Sequence, residues 1–340
     1  MTTPVQTVDE RTESAFVSRL KSLEFQEYAL AIVVVALFVV GAILKPDTFP
    51  TWANVRNMLT QASVVGVLAI GMTFVIATAG IDLSVGSMVA AAGMFGGVLV
   101  ANYDAGSFFF IVGAIAFGTL LGTANATAIA FGRVVPFIAT LAMLSIGRGL
   151  ALLFHHKLPA SLLDLNGGSF AEPKAGSLLW FGTGRILGIP VSVYVFLGIA
   201  IIGWVVLNRT RYGRQVVAVG GNREAARIAG VPVRRIVFSV YVVTGFLAGI
   251  STVLLCARLG SASPVSGSLY ELDAIGAVVI GGTSLAGGRA TIVGTFLGVL
   301  TFALIFSLMT QLDLSTEIQQ VTKGAIVLGA VLLQRPEARF

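Results

Sequence analysis

The sequence predicts an all-α, polytopic membrane protein, a single bundle of about ten transmembrane helices. Three observations predict it. Of the 340 residues, 56% are hydrophobic and 11% charged, and the mean hydropathy is +0.92; soluble domains carry about 25% charged residues. Apolar runs of spanning length, bounded by charges or by Gly and Pro, recur along the chain. Forty glycines suit helices that approach closely or break inside a bilayer. So few charges cannot cover a water-facing surface, so the lipid bilayer is the expected solvent. Cys256 is the only cysteine, which excludes an intrachain disulfide and a cysteine metal cluster.

The elements follow in order. Residues 1–27 are polar and of mixed charge, unlike a secretory signal. They read as a cytoplasmic tail, with a short surface helix near Ser14–Phe25. A single membrane domain is expected over 28–334, with spans at 28–44, 57–79, 84–101, 108–131, 135–154, 190–207, 236–257, 271–286, 290–311 and 318–334, and a cytoplasmic tail at 335–340. A spanning helix needs about 20 apolar residues. The segments around 80–83 and 271–286 are glycine-rich and short, a pattern that often marks a transport pathway. A connector at 155–189 mixes Gly167-Gly168, Pro173 and Asp164 with Phe170, Leu178, Leu179, Trp180 and Phe181. It is expected to fold outside, with a short helix at the surface.

Orientation follows the lysine and arginine bias. The loop 208–235 holds Arg209, Arg211, Arg214, Arg223, Arg227, Arg234 and Arg235. Seven arginines in one short loop belong in the cytoplasm, and six spans before it put both termini there as well. The net charge of +6 is therefore a topology signal, and no nucleic-acid partner is expected.

Inside that loop, Asn222 is a natural N-cap. Glu224 supplies an acidic first turn, and Gly230 followed by Pro232 ends the helix. The product is a slim helix with Ala225, Ala226 and Ala229, an apolar Ile228, and a charged edge of Arg223 and Arg227. It is shaped to enter a groove on another protein. The chain has no G-x-x-x-x-G-K-[ST] phosphate loop. Any work driven by ATP would therefore need a partner that binds it.

Polar groups within apolar runs are few. Asp82 and Ser84 stand between glycines in Gly80-Ile81-Asp82-Leu83-Ser84-Val85-Gly86. A carboxylate at a bilayer centre costs roughly 2.5–3.5 kcal/mol on insertion scales, so Asp82 either caps the following half-helix or meets a ligand. Asn125 bonds a neighbouring helix or a ligand, and Thr140 is a further candidate. Glu271 and Asp273 open a short apolar run that closes at Gly281-Gly282-Thr283-Ser284-Leu285-Ala286-Gly287-Gly288. They are expected near an outer mouth, possible neighbours of Arg258, facing a docked protein, lining the entrance or capping the span. Arg148 is expected to snorkel, and His155 and His156 to form an interfacial pair. Pro136 suits a first helical turn. The polar breaks at 80–87 and 281–289 form a faint internal echo.

These residues carry a resemblance. Gly80–Gly86, the Glu224-Ala225-Ala226…Gly230 loop, Val135-Pro136-Phe137-Ile138 and the block from Glu271 to Gly288 resemble the signatures of ribose-type sugar permeases of ATP-binding-cassette importers, from about residue 54 to about 332. Gly276 and Ala290 depart from the pattern conservatively. The resemblance implies a vitamin B12 importer-like (type II) fold in a bacterial inner membrane. It implies a homodimer, or a heterodimer with a paralogous permease. A cytoplasmic ATPase, often two fused cassettes, would bind ATP and Mg, while this chain holds no cofactor and catalyses nothing. A sugar-binding protein would dock outside. Asn222, Arg223, Glu224, Ala225, Ala226, Arg227 and Gly230 would form the ATPase contact. The competing readings are a permease for branched-chain amino acids and an ion-coupled secondary sugar transporter; the second would need several deep ionisable groups.

Overall fold

The computed structural model describes residues 27–103, 106–158 and 176–333. The expected surface helix near Ser14–Phe25, part of the expected outer loop and the C-terminal tail lie outside them. Thirteen helices occur among the described residues: α1 (Glu27–Leu44), α2 (Trp52–Ala77), α3 (Val85–Tyr103), α4 (Ser107–Ala130), α5 (Pro136–His155), α6 (Gly176–Thr183), α7 (Val191–Arg209), α8 (Arg211–Gly221), α9 (Arg223–Ile228), α10 (Val233–Leu259), α11 (Tyr270–Ile280), α12 (Ile292–Gln311) and α13 (Thr316–Leu333). A two-stranded antiparallel hairpin, β1 (Arg185–Ile186) and β2 (Ile189–Pro190), precedes α7.

Local chemistry sets the ends. The Thr51 hydroxyl accepts from Asn54 N at 3.3 Å to open α2, and Thr291 accepts from Gly294 N at 3.1 Å to open α12. Pro136 occupies the first turn of α5, where its missing N–H costs nothing. Gly260, with φ of +67°, stops α10 in the left-handed region.

Seven helices, α1, α2, α4, α5, α7, α10 and α12, are long and apolar enough to cross a membrane, and the protein is a multi-pass membrane protein. The three other expected spans are the helices α3, α11 and α13. The largest difference is at 271–286. There the helix stops at Ile280 and the chain turns through Gly281 and Gly282. Eleven residues of α-helix measure about 16 Å, half of a hydrocarbon core of about 30 Å.

Helices α2 and α10 form the buried centre, and α1 runs along the outside. α10 packs on α2, α3, α4 and α6; α5 packs on α3, α12 and α7 on α2, and α13 on α11. A close crossing joins α4 and α10. Each helix carries a Gly-x-x-x-Gly pair there, Gly118 with Gly122 and Gly245 with Gly249. A methyl group at Gly245 would fall 2.5 Å from Gly118 O and 2.6 Å from Gly122 Cα. Such pairs let backbones touch where lipid provides no hydrophobic drive for helices to associate.

The exposed large side chains, among them Ile32, Val35, Phe108, Leu153, Ile201, Val321 and Leu332, face outward from the bundle. In water such a surface would aggregate; in a bilayer it is the expected lipid face.

Candidate functional site

The segment between α2 and α3 is an extended break. α2 is 26 residues, about 39 Å, so it has completed a crossing before the break begins. The chain turns at Thr78–Gly80, with Ala79 at a φ of +58°, and then climbs back to start α3 at Val85.

Asp82 and Ser84 are fully buried. Asp82 Oδ1 accepts from Ser84 N at 2.9 Å and from Ser84 Oγ at 2.5 Å. Asp82 therefore does not cap α3. Ser84 is the residue at that boundary, and its carbonyl accepts from Met88 N at 2.8 Å. Asp82 fixes the turn that delivers Ser84. Asn125 of α4 donates its Nδ2 to Ser84 Oγ at 2.8 Å. Thr140 of α5 bonds chiefly to Pro136 O at 2.9 Å and lies 3.4 Å from Ile81 O. The four polar residues picked out separately in the sequence thus meet at one break. Asn125 is five residues from the end of α4, about 8 Å of helix, so the cluster lies short of the bilayer centre.

Tyr241 was not visible from the sequence as a member of this site. It is fully buried on α10, and its hydroxyl presses on Gly80, where a methyl would come within 2.5 Å of it. Among the described residues, neither Tyr241 Oη nor Asp82 Oδ2 has a hydrogen-bond partner. Nothing in the local sequence distinguishes a tyrosine in a span that meets lipid from one packed on the Gly80 turn.

Glu271 and Asp273 sit in the first turn of α11 and are both buried. Their helix is about 16 Å long and ends beside the glycine turn, so the two carboxylates open a half-length span. Asp273 is held within the chain, with Lys323 Nζ of α13 at 2.7 Å from Oδ1 and 2.9 Å from Oδ2. Glu271 Oε2 lies against Gly86 of α3. Arg148 does not snorkel. It turns inward, and its Nη1 donates to Pro264 O at 3.0 Å and Ser266 O at 2.8 Å, pinning the loop that enters α11. The histidine pair stands in ring contact at the end of α5.

The Lys323–Asp273 pair yields a measurable expectation. Removing one partner of a buried ion pair strands the other charge and costs about 3–5 kcal/mol, whereas removing both is often close to neutral. Lys323→Met should lower the stability of the detergent-solubilised chain by that order. Lys323→Met combined with Asp273→Asn should recover most of it. An unfolding midpoint for the double variant no higher than for the single one would contradict this account of the pair.

At the end of the bundle that carries the arginine-rich loop, α8 is helical where a loop is expected, opened by Thr210 accepting from Gly213 N at 3.2 Å. Asn222 then caps α9, its Oδ1 accepting from Glu224 N and Ala225 N, both at 3.0 Å. α9 projects from the bundle with Arg223, Glu224, Ala225, Arg227 and Ile228 exposed, while Ala226 alone packs inward. Arg227 donates to both carboxylate oxygens of Glu224, at 2.5 Å and 3.0 Å. That guanidinium holds the Glu224 carboxyl below its ordinary range, and the carboxylate raises Arg227 in turn. Gly230, at a φ of +79°, ends the segment.

The model of the branched-chain amino acid transport system permease component family matches residues 54–331. The chain belongs to this family. Within the permease family, the ribose import permease protein RbsC of Escherichia coli K12 is 39% identical to it over 89% of this chain and 91% of its own length. RbsC of Bacillus subtilis 168 is 41% identical over 89% and 90%. The xylose transport system permease protein XylH of E. coli K12 is 31% identical over 95% of each chain. A solved inward-facing conformation of a metal-chelate type ABC transporter superposes with a TM-score of 0.54 at 13% identity, covering 92% of this chain and 100% of that one. That likeness is one of fold, and it agrees with the type II permease architecture.

Proposed function

We propose that this family member is the membrane-spanning permease subunit of an ATP-driven importer for a monosaccharide of the pentose or hexose class. The observation that carries this reading is the identity of 39–41% over nine-tenths of both chains to ribose import permeases of two bacteria. The relatives named for galactose and xylose support the sugar class more widely. On this reading the chain lies in the bacterial inner membrane with both termini and α9 in the cytoplasm. It works as a homodimer or with a paralogous permease, it uses no cofactor of its own, and ATP and Mg are bound by a separate ATPase of single or tandem-fused cassettes. A sugar-binding protein delivers the substrate from outside. ATP binding biases the permease between two states. Supporting the ATPase contact, α9 is capped, slim and exposed.

The test is reconstitution. In vesicles, the chain alone should concentrate none of D-ribose, D-xylose or D-galactose. With an ATPase, a binding protein and ATP, accumulation of one of them should appear. Glu224→Lys or Gly230→Trp should abolish that accumulation while the chain remains in the membrane at its usual level. Concentrative uptake by the unaccompanied chain would refute the reading, and normal uptake by both variants would remove α9 from it.

A further inference from the structure

The glycine breaks at residues 77–84 and 281–289, far apart in sequence, meet directly. Gly288 N donates to Ala77 O at 3.0 Å. The third member of the junction is Gly220, at the end of α8 and two residues before the cap of α9. A methyl on Gly220 would stand 1.8 Å from Ala77 O and 2.6 Å from Gly288 N, and one on Gly287 would stand 2.9 Å from Gly220 O. Gly287 and Gly288 hold φ values of +80° and +75°, which side chains adopt only under strain. Three backbones are thus in contact with no side chain between them. A fourth link comes from α9 itself. Arg223 Nη2 donates to Thr78 O at 3.3 Å, in the turn that leads to Asp82. Arg227, one turn further along, spends its guanidinium on Glu224 instead.

We infer that this junction is the transmission between α9 and the membrane interior, with Arg223 as a positioning residue that ties movement of α9 to the α2–α3 break. The inference rests on the importer reading and deepens it. Backbone contact leaves no flexible side chain to absorb a shift, so a displacement of α8–α9 must move Ala77–Gly80 and Gly287–Gly288 together. The break is the part that can respond, since residues 80–84 are not helical. Arg223 therefore faces two ways: its helix meets the partner, and its guanidinium holds the break.

The experiment reads the break without needing the sugar. Leu83→Cys, made in a Cys256→Ala background, reports on residue 83 by its rate of maleimide labelling in membranes that contain the chain and its ATPase, with and without ATP and vanadate. With Arg223 present, nucleotide should change the labelling rate by roughly fivefold or more, the lower range of allosteric couplings. Arg223→Gln should remove that response from the fraction of the chain that retains its ATPase, and Arg223→Lys should restore part of it. Arg211→Gln, exposed at the start of α8 and outside the junction, should leave it unchanged. A full response in Arg223→Gln, or no response in the unmodified chain, would overturn the transmission. Loss of co-purification together with the response would assign Arg223 to docking alone and also overturn it. Failure of any ATPase to co-purify with the unmodified chain would sink the importer reading itself, and the transmission with it. Gly220→Ala is the stronger lesion, and its failure to accumulate in the membrane would leave the arginine series to decide.

Discussion

Gly245→Ala is expected to destabilise the bundle severely, although alanine is the mildest substitution and the better helix former. Its one added methyl would lie 2.5 Å from Gly118 O and 2.6 Å from Gly122 Cα. Real carbon contacts of this kind need about 3.5 Å or more, so α4 and α10 must separate by the better part of an ångström along their crossing. Overpacking a core costs typically 1–3 kcal/mol when side chains can shift. Here the obstructing atoms are backbone, so the cost should reach or exceed about 3 kcal/mol on that scale, and Gly245→Leu should prevent accumulation of the chain. The comparison is Gly198→Ala on α7, where a methyl meets nothing within 4 Å. It should be neutral or stabilising by up to about 1 kcal/mol, since alanine is the better helix former. Unfolding midpoints of the purified variants provide the check. Equal midpoints for Gly245→Ala and Gly198→Ala would show that the α4–α10 crossing is not a tight backbone contact.

The second large effect is expected at Asp82. Asp82→Leu removes the acceptor for two donors of Ser84, its amide and its hydroxyl. The hydroxyl must then reorient while still accepting from Asn125. Each buried polar group left unsatisfied costs about 1–3 kcal/mol. Both groups lie inside a membrane bundle with the site fully buried, so the start of α3 should lose its definition. The variant should fail to assemble or fail to transport. Asp82→Asn keeps an acceptor oxygen of the same reach and should retain the fold. The membrane level and thermal midpoint of each variant, with uptake measured in parallel, separate the two roles left open by the sequence. Stable but inactive Asp82→Asn would mean that the charge itself serves transport. Fully active Asp82→Leu would take Asp82 out of the account.

Much of the protein was legible without coordinates. Low charge and recurring apolar runs dictate a lipid-embedded helical bundle, because only helices and closed barrels satisfy their backbones in hydrocarbon. Asn222, Glu224 and Gly230 announce α9, because capping is a local matter of side-chain reach and backbone φ. The length of α11 was misjudged for an equally physical reason. Val278, Val279 and Ile280 lead into a glycine-rich stretch that carries no charge through Ala286, and hydropathy does not register where the backbone hydrogen bonds stop. Arg148 read as a snorkelling cation because its nearest sequence neighbours are apolar; its partners, Pro264 and Ser266, are more than a hundred residues away.

What the sequence alone determined is therefore everything set by short-range chemistry and by the choice of solvent: the all-α membrane class, most of the helices, the caps and the family signatures. What only the tertiary structure decided is which distant polar groups share one buried space. Asp82, Ser84 and Asn125 join at one break, Asp273 finds Lys323, and the glycine turns at 77–80 and 287–288 close on Gly220. Such pairings follow from the crossing of α4 with α10 and the stacking of α11 on α12 and α13. They are fixed by the close approach of backbones at glycine, which a linear pattern of apolar and polar residues does not encode.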